Sequence, residues 1–134
     1  VSASQSASGS SRPLSPHLQI YKPIITMTMS IAHRLTGIAL YFGTVLVAWW
    51  LIAAASGAEY FAFVNGFFGS WFGILVMFGY TWALIHHMLG GLRHFAWDFG
   101  YLIEKHTATR LAYATIIGSV SLTIAIWIVG AIAK

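Results

Sequence analysis

Three long stretches of this chain carry no Asp, Glu, Lys or Arg: Leu35–Ala58, Tyr60–Leu92 and Leu111–Ala133. Each is longer than the roughly 20 residues that a helix rising about 1.5 Å per residue needs to cross bilayer hydrocarbon. Backbone polar groups in lipid must be satisfied within the segment itself, so the pattern predicts three transmembrane helices and an all-α integral membrane fold. The middle run exceeds a single crossing and is expected to tilt or protrude. Ahead of the first run, the segment from Arg12 to Pro23 is punctuated by Pro13, Pro16 and Pro23, which oppose a continuous helix. The serine-rich stretch before it has no apolar core. The expected organisation is a disordered polar tail over 1–11, a segment at the inner membrane surface over 12–29 that leads into the first helix, and a three-helix transmembrane domain over 30–134. Within the second run, Gly69-Ser-Trp-Phe-Gly73 has the small-xxx-small spacing of close helix contacts.

Composition agrees and narrows the choice. Of 134 residues, 58% are hydrophobic, 16% aromatic and only 7% charged, against about 25% charged in an ordinary soluble domain. Three spans and their loops leave no room for a separate soluble catalytic domain. The absence of cysteine excludes disulfides, thiolate nucleophiles and cysteine-ligated clusters, so histidine is the metal ligand present in number. A net charge of +4, scattered along the chain, does not point to nucleic acid. It does orient the chain: an inside N-terminus places Arg12, Lys22, Arg34, Arg93, Lys105 and Arg110 on the inner side and Lys134 alone outside, as the positive-inside rule favours. Trp49, Trp50, Tyr60, Phe61 and Trp127 then fall towards the outer interface, and Trp97 and Tyr101 towards the inner one. No transit peptide is legible, so a bacterial inner membrane is expected, with the mitochondrial inner membrane as the alternative.

The residues able to do chemistry gather at one depth. His87 lies six residues, about 9 Å, before Arg93 in the second run, and an ionisable side chain at membrane depth usually marks a ligand, a path or a cofactor. Gly90, Gly91 and His94 share its face at i+3, i+4 and i+7, which leaves that face bare enough for a flat group or another helix. The first run starts from the same side at Ser30-Ile-Ala-His33-Arg34. A haem reading joins these parts, with imidazole on iron and the cationic Arg34, with His33, balancing propionates. The plainer reading is that His87 hydrogen-bonds another helix and the glycines only permit packing. His86 sits about 100° around the helix from His87, cannot face the same iron, and is expected to bond a neighbouring helix or subunit. His17 and His106 fall on the aqueous side. Arg93, His94 and Asp98 form a possible supporting polar cluster at the inner end of the second span, or a solvated interface anchor.

Three blocks, Arg12-Pro-Leu-Ser-Pro-His-Leu-Gln-Ile-Tyr21, Ser30-Ile-Ala-His-Arg-Leu-Thr-Gly37 and His87 through Asp98, together resemble the cytochrome b, membrane-anchor subunit of succinate dehydrogenase, respiratory complex II. The resemblance implies that His87 takes the axial haem-ligand position, that His33 and Arg34 lie near the haem propionates, and that Ser30 and Arg34 take ubiquinone-binding positions. It also implies haem b shared with a second small membrane subunit, an iron–sulfur subunit and a flavoprotein subunit as partners, and a chain that is not catalytic alone. The doublet His86-His87 is a local departure from the family pattern. The rival expectation is a non-catalytic membrane anchor or assembly protein without haem or quinone. A small transporter component is a further rival, but the chain offers it one intramembrane acid, Asp98, and no inverted repeat.

Overall fold

The structure, a computed structural model, describes residues 22–133. Helix α1 spans Ile25–Ser56, α2 Ala58–Gly69, α3 Trp71–Asp98 and α4 Lys105–Ile132, and there is no strand among the described residues. Three of the four, α1, α3 and α4, are long and apolar enough to cross a membrane, in agreement with the three predicted spans. At 32 residues α1 is about 48 Å long, more than the hydrocarbon thickness. It begins immediately after Ile24, whose backbone is still extended, one residue beyond Pro23, a residue well tolerated at a helix start, where its missing N–H has no intrahelical partner to lose.

The second apolar run is not one helix. It breaks at Ser70, whose backbone is extended at φ −66° and ψ 159°. The Ser70 hydroxyl accepts from the Gly73 N–H at 3.1 Å and donates to the Phe67 carbonyl at 2.6 Å, so one side chain caps α3 and ties it to the end of α2. A Cβ at Gly73 would stand 2.7 Å from Phe68 Cα and 2.8 Å from the Phe68 carbonyl, and would run into the Phe67 carbonyl. Gly69 and Gly73 therefore belong to a helix–turn–helix corner, where the sequence spacing had suggested one helix packed on another. At the other end of α2, Gly57 holds φ 131°, a conformation open to glycine alone at little cost. The short α2 folds back on α1, where the Trp49 indole donates to the Tyr60 hydroxyl at 2.8 Å and Trp50 meets Phe61 edge-on at 5.6 Å. A cavity of about 410 Å³ lies between these three helices, walled by Gly43, Leu46, Phe68, Val76, Met77 and Tyr80 among others.

Helix α3 packs against both α1 and α4. The buried positions of α1 nearest its start, Met29, Thr36 and Gly43, recur every seven residues, one face of a helix. The buried positions of α4, Ala112, Thr115, Ser119 and Thr123, form a stripe of small side chains of the kind that lets membrane helices approach closely. Thr115 and Thr123 return their hydroxyl protons to their own helix, at 2.8 and 2.7 Å. Large apolar side chains such as Leu35, Phe42, Trp71, Ile128 and Ile132 point outward, the surface expected of a bundle bathed in lipid or covered by another membrane chain. Between α3 and α4 the chain turns through Gly100 at φ 80° and Leu102 at φ 62°. The Trp97 indole secures that corner by donating to the Leu102 carbonyl at 3.1 Å.

Candidate functional site

His87 and His33 meet where α3 crosses α1. Their rings stack at a centroid distance of 4.0 Å and an interplanar angle of 12°. Each lies over a glycine of the opposite helix. A Cβ at Gly37 would stand 3.0 Å from His87 Cε1, and one at Gly90 would run into the His33 ring. The two glycines after His87 thus have different tasks. Gly90 receives His33, whereas Gly91 has no atom within 4 Å of the place a Cβ would take and leaves its part of the face open.

The hydrogen bonds settle the tautomer of His87. Its Nδ1 lies 3.0 Å from the His33 carbonyl oxygen and 3.3 Å from the Thr36 hydroxyl. A carbonyl can only accept, so Nδ1 carries the proton, and a neutral imidazole then presents a lone pair at Nε2. This is the arrangement that metal-ligating histidines adopt: one nitrogen donates to a carbonyl and the other faces the metal. His86 makes a parallel bond in the other direction. Its Nδ1 lies 3.1 Å from Ser119 Oγ, and Ser119 gives its one proton to the Ile116 carbonyl at 3.0 Å, so Ser119 accepts from His86. The hydrogen bond to a neighbouring helix expected of His86 is present. Its ring is 2% exposed, enclosed between α3 and α4 beside Trp82 at 5.1 Å.

Around this pair the other polar groups are arranged by helix position. His94, two turns beyond His87, has its ring 5.1 Å from His33 and 5.0 Å from Trp97. The Arg93 guanidinium lies 5.1 Å from the centre of the Trp97 ring and is only 6% exposed. Its Nε and Nη1, with the Nε2 atoms of His33 and His86, are buried and have no hydrogen-bond partner among the described residues. Asp98, the last residue of α3, is exposed and forms no ion pair with Arg93 among the described residues. On α1, Ser30 is half-buried and Arg34 exposed; with His33 they occupy one turn of the helix. His106 is exposed at the start of α4, away from the cluster by chain position, and His17 lies outside the described residues. No three His, Asp or Glu side chains gather into a metal-holding group among the described residues.

Sequence reasoning found His33 and His87 but gave no role to Thr36 and Gly37, which the structure places against the His87 ring. A glycine at a buried crossing inside an apolar helix was the available signal.

The donor set fits a haem iron approached from one side. His87 would supply one imidazole nitrogen, its proton being held at the other by the His33 carbonyl, and Gly91 leaves the adjoining face clear. Fold and site define a helical, multi-pass membrane protein with two stacked imidazoles where two of its candidate membrane-spanning helices cross. The chain belongs to the succinate dehydrogenase/fumarate reductase transmembrane subunit family, whose model matches residues 8–126. It is 44% identical over 113 residues to the succinate dehydrogenase cytochrome b556 subunit of Paracoccus denitrificans, covering 84% of this chain and 87% of that one. Identity to the cytochrome b556 subunit of Rickettsia prowazekii is 37% over 117 residues, covering 87% and 91%. The cytochrome b560 subunit of Marchantia polymorpha is 38% identical over 102 residues, covering 69% and 72%.

Proposed function

We propose that this chain is the membrane-anchor subunit of a succinate:ubiquinone oxidoreductase, binding haem b together with a second membrane subunit and helping to form the site where ubiquinone is reduced. The observation that carries the reading is the His87 ring, whose Nδ1–H is held by the His33 carbonyl at 3.0 Å so that Nε2 is offered as a ligand. The names of the relatives, cytochromes b of succinate dehydrogenase, support it. Haem supplies one-electron transfer. The chain's own residues would bind and orient it: His87 would give one imidazole nitrogen to the iron, and His33 and Arg34 would serve the propionates as donor or cationic partners. With a single suitably placed imidazole in this chain, a further iron ligand would come from the other membrane subunit.

For the quinone, Ser30 and Arg34 are the residues of choice. A hydroxyl donates to a quinone carbonyl oxygen, and a guanidinium stabilises the charge that develops there on reduction, more strongly in a low-dielectric setting than in water. Electrons arrive from an iron–sulfur subunit served by a flavoprotein subunit, both docked on the inner face, the side to which the positive-inside rule assigns the N-terminus and the segments that carry Arg12, Lys22, Arg34, Arg93, Lys105 and Arg110. The membrane is a bacterial inner membrane.

The test is a succinate-reduced minus oxidised spectrum of the detergent-purified complex with its subunits identified, compared with the His87→Ala variant. The proposal expects dehydrogenase subunits to co-purify and the b-type haem bands to be lost in H87A. A colourless wild-type protein without dehydrogenase partners identifies the non-catalytic anchor instead. Unchanged bands in H87A remove His87 as the ligand.

A further inference from the structure

Within the proposed haem reading, on which this inference rests, we propose that Thr36 is a positioning residue for His87, its hydroxyl oxygen serving as a second acceptor that aims the ring and raises the electron density at Nε2. Thr36 is 4% exposed, in the crossing of α1 and α3. Its Oγ1 lies 2.9 Å from the Ala32 carbonyl, 3.0 Å from the His33 carbonyl and 3.3 Å from His87 Nδ1. A threonine hydroxyl has one proton and two lone pairs. The proton goes to a carbonyl of its own helix, Ala32 being the nearer, as threonines inside helices commonly do. What Thr36 turns towards His87 is therefore a lone pair.

The Nδ1–H of His87 then lies in a three-centre bond between the His33 carbonyl and Thr36 Oγ1. Two acceptors on one helix, with the His33 ring stacked on one face and Gly37 closing on Cε1 at 3.0 Å from its would-be Cβ, fix the rotation of the imidazole. A single acceptor would leave the ring free to rock about one contact. Hydrogen bonding at Nδ1 also makes the other nitrogen more basic, which favours the oxidised state of a bound iron. Thr36 is the only side chain with a hydrogen bond to His87 among the described residues. It can be altered without touching either the ligand or its carbonyl partner.

The experiment uses the whole purified complex and compares wild type with Thr36→Val, which keeps the shape and burial but removes the hydroxyl, and with Thr36→Ser, which restores it. The expected result is a T36V complex that keeps its subunits and its b-type bands. It should hold haem roughly tenfold less tightly, at the low end of the effect of outer partners on metal ligands. Its redox equilibrium should move roughly tenfold towards the reduced haem, an upward potential shift of about 59 mV for one electron; T36S should return both values to near wild type. If T36V fails to assemble, Thr36→Ala, with no branched side chain to seat, takes its place against T36S. A potential and haem affinity equal to wild type, or a downward shift, overturns the role of Thr36. Loss of haem in H87A beside an unshifted T36V overturns this inference alone, whereas haem retained in H87A overturns the haem reading and this inference with it.

Discussion

Two adjacent histidines of α3 use the same nitrogen in opposite directions. Both donate from Nδ1, His87 towards α1 and His86 towards α4, because consecutive helical residues diverge by about 100°. That divergence was legible from the sequence and separated the candidate ligand from its neighbour. Thr36 was not legible. A threonine in an apolar helix reads as a residue that returns its hydroxyl to the backbone, and its second contact exists only once α1 and α3 are in register. Arg34 differs from Arg93 in the same way that exposure differs from burial. Arg93 is enclosed against Trp97, while Arg34 is exposed on α1 and available to a ligand or partner. Arg34→Ala is accordingly expected to reduce succinate-driven quinone reduction about tenfold or more, the loss of a charge-assisted bond of about 1.5–3 kcal/mol, while reduction of a soluble dye by the dehydrogenase subunits stays near wild type. Parallel steady-state assays of the two acceptors check it, and equal losses in both would show that Arg34 acts on assembly.

At the level of elements, the chain's hydropathy marked three crossings and concealed a corner. No charge interrupts Tyr60–Leu92, and its excess length read as tilt or protrusion of one helix rather than as two. The cue lay in Gly69, Ser70 and Gly73, which as letters fit a packing motif and in space build a turn. Ser70 and Gly73 contribute unequally to it. Ser70→Ala removes a cap, worth about 1 kcal/mol, whereas Gly73→Ala forces a methyl group against the backbone of Phe67 and Phe68 and is expected to cost more. Thermal unfolding of the purified complex should rank wild type above S70A and S70A above G73A. A G73A variant as stable as wild type would show that this corner relaxes freely. The reciprocal seating of Gly37 under His87 and Gly90 under His33 was half legible: each glycine follows a histidine by three or four residues, but that each receives the histidine of the other helix exists only once α1 and α3 have crossed.

The described residues form a slim bundle with most of its large apolar side chains on the outside, a form suited to lipid or to the flank of another membrane chain. On the proposed reading it holds half of a haem pocket. Expressed and purified without the second membrane subunit, the chain is expected to lack the low-spin b-type spectrum, which should appear when the two are produced together; the full spectrum in the isolated chain would show that both ligands are its own. His87 also depends on a carbonyl more than fifty positions earlier in the chain. A ribosome delivers α1 to the bilayer well before α3, and until the later helix has crossed back and docked, the imidazole has no fixed tautomer and no aim. On the proposed haem reading, cofactor loading then follows membrane integration: a half-inserted chain would have no aimed imidazole to offer haem, and a chain that binds it would already have passed its own check on topology.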